Sequence, residues 1–186
     1  MFLPDFTDGD VDYAMLNKYY KYLLGENMTH AERRAAITAE IRERTGIDEA
    51  LIARLVDTFY DKVREDELLG PVFEARIVDW PIHLERMRAF WSSVALMTGR
   101  YHGQPMEAHL RLPVDARHFD RWLGLFEETA SETCTPAAAA HFVERARRIA
   151  ESLELGVAGH NGVLVMRGQR LARPDSEVSL PQAANR

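Results

Sequence analysis

Tyr60, His83, His109 and Trp122 are the polar residues whose types and positions could do chemistry together, because each stands in an otherwise apolar segment. Apolar residues recur at helical spacing after His83, so its imidazole is expected to point inward. Histidine is a common metal ligand, while a tyrosine O–H and a tryptophan N–H donate hydrogen bonds. One histidine ligand facing polar groups on apolar walls is what a buried, flat cofactor with one open metal position requires.

Other uses of these residue types find less support in the sequence. Zinc needs three or four converging ligands, but the chain has a single cysteine, Cys134, and no His-Glu-x-x-His run. A nucleophilic Cys134 with a distant histidine could be claimed for any chain that contains both. Taken one at a time, each of the seven histidines is more often a structural residue than a ligand.

Haem fits the pattern better than zinc does. It needs one strong axial ligand, large apolar walls and cations near its propionates. His109 could approach the iron from one side, while the helices that carry Tyr60 and His83 cover the other. Three arginines could offset the propionate charge: Arg86, Arg100 and Arg111. Covalent attachment needs Cys-x-x-Cys-His, which the sequence lacks, so any haem is expected to be bound non-covalently.

The elements that must position these residues are all predicted to be helices, so the expected fold class is all-α. Most starts have a capping residue or a proline in the first turn, and several stops have a glycine. The predicted starts are Asp10, the capping box Thr29–Glu32, Asp48, Trp80-Pro81, Pro105, Asp115 and Thr135-Pro136. The predicted stops are Gly25, Gly46, Leu68 to Pro71, Gly99, Leu112-Pro113 and Gly156.

Size and composition favour one globular domain with extensions. We expect accessory helices in residues 1–46, the main domain in 47–156 and a flexible tail in 157–186, whose β-prone patch at 162–166 is too short for a sheet. No apolar run reaches the roughly 20 residues of a membrane span. The start lacks a secretory signal and the single cysteine can form no internal disulfide, which favours the cytoplasm. The net charge of −6 opposes nucleic-acid binding.

An ordered run of short segments resembles the third group of truncated haemoglobins. These segments are Phe59-Tyr60, Leu69 to Phe73, Phe90-Trp91, Gly99 to Pro105, His109 to Pro113 and His118 to Glu128. The resemblance covers about residues 47–156, and the glycine pairs of the first two groups are not seen. It implies a shortened globin fold packed around haem b, preceded here by extra N-terminal helices.

The same resemblance implies roles for particular residues. His109 would be the proximal iron ligand, and Tyr60, His83 and Trp122 would face the distal side. Further residues would contact or line the haem: Phe73, Met87, Phe90, Arg100 and Tyr101. Without the resemblance, helical periodicity favours ordinary core packing for Tyr60 and Trp122.

Two distal donors would each strengthen the binding of a partly negative diatomic ligand by roughly 1.5 to 3 kcal/mol. Slow oxygen release favours redox chemistry with O2 or NO over oxygen transport. Examples of such chemistry are NO dioxygenase activity and peroxidase-like activity, with a separate reductase. Three alternatives stay open: a haem-based sensor of O2, NO or CO that signals through its N-terminal helices, an oxygen carrier, and a haem-free helical adaptor. His83 could serve as a gate or as a sixth ligand, and a homodimer is a further alternative.

Overall fold

The computed structural model describes residues 29–166 and 169–172. Within these ranges the chain forms seven helices and no strand, which confirms the all-α prediction. The helices are α1 His30–Thr45, α2 Glu49–Glu65, α3 Gly70–Glu74, α4 Trp80–Leu96, α5 Pro105–His109, α6 Ala116–Thr133 and α7 Pro136–His160. The helix predicted at residues 10–24 lies outside the described residues.

Local capping explains where most of these helices begin. Thr29 Oγ1 accepts from Glu32 N at 3.2 Å, and the Glu32 carboxylate accepts from Thr29 N at 2.7 Å, which completes the predicted capping box. The Asp48 carboxylate accepts from Leu51 N at 2.7 Å at the start of α2. Thr135 caps α7 in the same way. These starts were predictable because each bond joins residues only three apart.

Helix α4 ends at Leu96, three residues before the predicted stop at Gly99, and Met97 takes the left-handed conformation with φ of 60°. The cause is tertiary. The last carbonyls of α4 accept hydrogen bonds from side chains of α1 and α7: Thr38 to Leu96, His141 to Ala95 and Arg145 to Val94. These distant donors satisfy carbonyls that a longer helix would otherwise have used.

Helix α7 passes through the predicted stop at Gly156 and continues to His160. Gly156 serves a close approach instead, since a Cβ at this position would overlap the thioether of Met106 on α5. Leu171, in the segment expected to be a flexible tail, is only 3% exposed. The division of the chain at residues 46 and 156 stays a prediction.

The main core lies between α2, α4, α6 and α7. Aromatic rings dominate its centre: Phe59 meets Phe126 edge-on at 5.3 Å, and Trp91 stacks on Phe126 at 4.6 Å. Phe126 is fully buried. A smaller second cluster of buried residues holds the ends of α6 and α7 together: Val114, Phe119, Ala150, Val157, Ala158 and Leu171. In the described part of the chain, no helix combines the length and apolar character needed to cross a bilayer.

Candidate functional site

His109 is the last residue of the five-residue helix α5 and is half-buried. Its Nδ1 lies 2.6 Å from the carbonyl oxygen of Pro105. A carbonyl only accepts, so the Nδ1–H must donate, and the lone pair on Nε2 is left for a metal. A backbone acceptor behind the imidazole also fixes the orientation of the ring, as is usual for histidines that bind metals. This tautomer leaves His109 chemically able to bind a metal through Nε2.

His83 lies in the first turn of α4, which is capped by the carboxylate of Asp79. Its Nε2 is buried and has no hydrogen-bond partner among the described residues. Burial lowers the pKa of His83, and the charges of Arg86 and His109 lower it further, so the imidazole is neutral near pH 7. Leaving a buried polar atom unpaired costs on the order of 1 to 3 kcal/mol. Such an atom is expected where a ligand completes the site.

Tyr60 lies against His83, with ring centroids 5.0 Å apart and planes nearly perpendicular. Tyr60 is 5% exposed and its ring also contacts Phe73 and Trp80. Burial, and then the nearby Tyr101, raise the pKa of Tyr60 well above its usual range. The hydroxyl therefore stays protonated and can donate a hydrogen bond.

Trp122 is half-buried on α6 and belongs to the margins of both clusters. Its ring stacks on Phe126 at 5.4 Å and meets the edge of Phe59 at 5.5 Å. Those contacts fix the plane of the indole. Phe59, whose ring also contacts Tyr60 at 5.1 Å, is a neighbour that Trp122 and Tyr60 have in common.

Three large apolar residues predicted to line the cofactor are only half-buried: Phe73, Met87 and Phe90. Phe90 contacts Tyr101 edge-on at 5.2 Å. Tyr101 N donates to Ser93 Oγ at 2.8 Å, and a Cβ on Gly103 would overlap the Tyr101 ring. The glycine therefore gives this tyrosine the room to fold back onto α4.

Arg100 forms an ion pair with Glu49 at 3.1 Å at the start of α2 and is largely exposed. The same carboxylate accepts from Ser92 Oγ at 2.8 Å. Sequence reasoning missed this pair, because residues 51 positions apart in the chain carry no local signal of contact. The cation predicted to offset a propionate thus already has a carboxylate partner.

Trp80 is a wall residue that sequence reasoning missed, because the Trp80-Pro81 pair was interpreted only as a helix start. Its ring contacts Tyr60 at 6.2 Å and His83 at 5.8 Å, and the guanidinium of Arg64 lies 5.0 Å above it. A signal was available, since residues three apart on a helix share a face.

The residues present fit a haem. One imidazole is anchored at Nδ1 with Nε2 free, a second buried imidazole has an unpaired Nε2, and the large apolar side chains beside them are incompletely covered.

Comparison with known proteins agrees with this geometry. Residues 40–153 match the family described as bacterial-like globin. Over 113 residues the chain is 35% identical to the group 3 truncated hemoglobin ctb of Campylobacter jejuni, covering 58% of this chain and 89% of that protein. Over 84 residues it is 29% identical to the group 2 truncated hemoglobin YjbI of Bacillus subtilis, covering 44% and 64%.

A crystal structure of the group III truncated hemoglobin from Campylobacter jejuni superposes with a TM-score of 0.54 at 33% identity, covering 63% of this chain and 92% of that one. The chain therefore belongs to the bacterial-like globin family, in the third group of truncated haemoglobins, and the resemblance found in the sequence is confirmed. As a globin, it binds haem and small gaseous ligands.

Proposed function

We propose that this protein holds haem b with His109 as the proximal ligand and uses it in O2 and NO redox chemistry rather than in oxygen transport. The observation that carries the proposal is the pair of imidazoles: His109 anchored on the Pro105 carbonyl with Nε2 free, and His83 with a buried, unpaired Nε2. Haem iron would supply the coordination position at which a diatomic ligand binds. The absence of a Cys-x-x-Cys-His run supports a non-covalent haem.

Tyr60 and Trp122 are the proposed donors to the bound ligand. The raised pKa of Tyr60 keeps its O–H protonated, and an indole N–H can only donate. A hydrogen bond to a partly charged acceptor contributes roughly 1.5 to 3 kcal/mol. Because about 1.4 kcal/mol is a factor of ten, two such bonds would slow ligand release by roughly a hundred- to ten-thousandfold. Retention on that scale suits a reaction better than delivery.

His83 is proposed to act toward the same ligand position. The neutral imidazole adds no charge to an apolar site, and its free Nε2 allows either of two roles, a gate or a sixth ligand in the ligand-free state. Ferric spectra distinguish them, since a second imidazole on the iron gives a low-spin signal that His83→Ala would remove.

Conversion of NO and O2 to nitrate takes up one electron per turnover. A separate reductase is the proposed donor, and the chain itself is proposed to act as a monomer or a homodimer. The deciding experiment is stopped-flow mixing of the oxygenated protein with NO. Stoichiometric nitrate, formed much faster than oxygen dissociates, is the expected result; dissociation of oxygen within milliseconds without nitrate would point to transport.

The structure offers one specific reason to keep a sensor as the second candidate. Thr38 on the N-terminal helix α1 donates to the carbonyl of Leu96, the last residue of the helix that carries His83. A ligand-dependent shift of α4 would therefore reach α1. Removal of residues 1–28 should leave NO chemistry intact under the leading proposal, whereas a sensor would lose a ligand-dependent change in oligomeric state.

A further inference from the structure

The C-terminal residues 169–172 are tied to α6 and α7 by charged hydrogen bonds. Arg170 Nε lies 2.8 and 3.0 Å from the two carboxylate oxygens of Glu154, and its Nη2 lies 2.7 Å from Asp120 Oδ1. Leu171 N donates to Glu154 Oε1 at 2.8 Å, and Leu171 O accepts from Ala116 N at 2.8 Å. We call residues 169–172 the C-terminal clasp.

Two features make the clasp more than a surface contact. Glu154 is 6% exposed on α7, and a buried carboxylate is tolerated only when its oxygens are paired. Arg170 and the Leu171 amide supply those partners. Leu171 itself is 3% exposed in the second cluster, beside Val114 and the half-buried Leu112.

The clasp meets the segment that directly follows His109. Residues 110–116 leave α5 and enter α6, and several contacts hold them, among them a hydrogen bond from Arg76 Nη2 to Arg111 O at 3.1 Å. Leu112 N donates to His109 O at 3.0 Å, Leu112 and Val114 pack in the cluster that Leu171 completes, and the amide that ends the segment donates to Leu171 O.

The same end of α7 also carries α5. Met106 occupies the space left by Gly156, two residues beyond Glu154, so the contact with α5 and the anchor of the clasp lie within one turn of the same helix, on different faces. A helix of five residues is far too short to be stable alone. The orientation of His109 must therefore come from what α5 and the following segment rest on.

We propose that the C-terminal clasp positions His109. It does so by holding residues 110–116 and the end of α7 together as one rigid support against which α5 packs. The proposal rests on His109 being the haem ligand. Arg170 bonds to Glu154 and Asp120, which are not assigned to the cofactor site, while Leu171 belongs to a cluster that Trp122 also borders. Both are proposed to act on His109 through the backbone that follows it. Small displacements of a ligand matter because a site that is about 1 Å too loose loses much of its function.

The test compares Arg170→Gln and Leu171→Ala with Arg148→Gln in the full chain. The control substitution, Arg148→Gln, removes an exposed ion pair between Arg148 and Glu144, whose atoms lie 2.6 Å apart. This pair is on α7, as Glu154 is, but it is not part of the clasp. Haem transfer to excess apomyoglobin and the iron–histidine stretching band of the ferrous, ligand-free protein are measured. We expect about tenfold faster haem loss and a shifted or broadened band in both clasp variants, and less than a twofold effect in the control.

A merely structural clasp would give a different result. It would lower the unfolding midpoint and speed haem loss while the stretching band, recorded well below that midpoint, stayed as in the wild type; this outcome would overturn the proposal. Arg170→Lys keeps the positive charge but loses the planar guanidinium that bonds to both Glu154 oxygens. Its iron–histidine stretching band is therefore expected between those of the wild type and Arg170→Gln.

Failure of the haem assignment can be told apart from failure of the clasp. If the wild-type chain took up no haem, the proposed function would be wrong. The role of the clasp would then be tested by amide hydrogen exchange of the haem-free protein. Amide hydrogens of residues 110–116 other than Pro113, above all that of Ala116, should then exchange about tenfold faster in Arg170→Gln than in Arg148→Gln. Equal protection in the two variants would refute the clasp.

Discussion

The core around Phe126 and the region around His83 are built from the same kinds of residue but are completed differently. In the core, Trp91 contacts both Phe126 and Phe142, and all three rings are at most 2% exposed. Around His83, the side chains of Phe73, Met87 and Phe90 are only half-buried, and the His83 Nε2 has no partner among the described residues. A complete core stabilises a fold by itself, whereas an incomplete one with an unpaired nitrogen indicates where a cofactor completes the structure.

The largest effect is expected for His109→Ala. Loss of the imidazole that the Pro105 carbonyl anchors at Nδ1 would remove the proposed iron bond, so stable haem retention should be abolished. The measurement is the Soret absorbance per protein after gel filtration. His160→Ala, at the exposed end of α7, is the control and should retain full haem. Normal haem content in His109→Ala would remove the proximal assignment.

Substitutions of one aromatic residue in each region test the comparison directly. Phe126→Ala should lower the free energy of unfolding of the haem-free protein by about 3 to 5 kcal/mol. Phe90→Ala, at a half-buried position, should cost less than half as much without haem and should mainly weaken haem binding. Urea unfolding of both variants with and without haem is the measurement. Equal losses in the haem-free state would mean that the region around His83 is ordinary core.

Tyr60→Phe should leave haem content unchanged and raise the oxygen dissociation rate by about ten- to a hundredfold, the equivalent of one lost hydrogen bond to the ligand. Trp122→Phe removes the N–H donor but keeps a ring that still fills the space, so it should change the dissociation rate more than it changes fold stability. Flash photolysis or stopped-flow replacement of oxygen by CO measures both. An oxygen dissociation rate of Tyr60→Phe equal to that of the wild type would show that this residue only packs in the core.

Asp115 shows what a fully partnered polar group contributes, in contrast to His83. Burial alone would raise its pKa, but bonds from Arg117 and His118 hold the pKa at about 2, against 3.8 for a free side chain. The folded state therefore binds this proton less readily than the unfolded state does. The stabilisation is present above about pH 4 and is lost as pH falls through 2.

At about 1.4 kcal/mol per pH unit, the Asp115 contribution is on the order of 2 kcal/mol. Asp115→Asn should therefore be less stable than the wild type by that amount at pH 6, and the difference should shrink steadily below pH 4. Chemical unfolding at a series of pH values measures it. A difference that did not change with pH would show that the cap, rather than the charge, stabilises α6.

Much of the helix pattern could be predicted, and the exceptions share a cause. Thr29, Asp48 and Thr135 cap helices through bonds to residues three positions away, so the signal is local. Gly99 and Gly156 misled the prediction of two helix ends. In both cases contacts from another helix decided the outcome, with His141 and Arg145 on the end of α4 and Met106 against Gly156.

In the candidate site, too, the features with a local sequence signal could be predicted and those that depend on distant contacts could not. Residue types and ordered motifs were enough to single out Tyr60, His83, His109 and Trp122, and the comparisons confirm the family to which those motifs belong. The assigned roles of the individual residues stay predictions. The sequence did not predict three features: the contact of the Trp80 ring with His83, the Arg100–Glu49 ion pair and the burial of Leu171.

By itself, the sequence determined which segments are helical, which faces are apolar and which residues carry metal-binding or hydrogen-bonding chemistry, because caps and periodicity act over a few residues. The tertiary structure alone decided that the His83 imidazole keeps a buried nitrogen with no partner among the described residues, and that the C-terminal clasp lies against the segment after His109. Hydrogen bonds and burial between residues far apart in the chain depend on how the helices pack, and no short stretch of sequence encodes that.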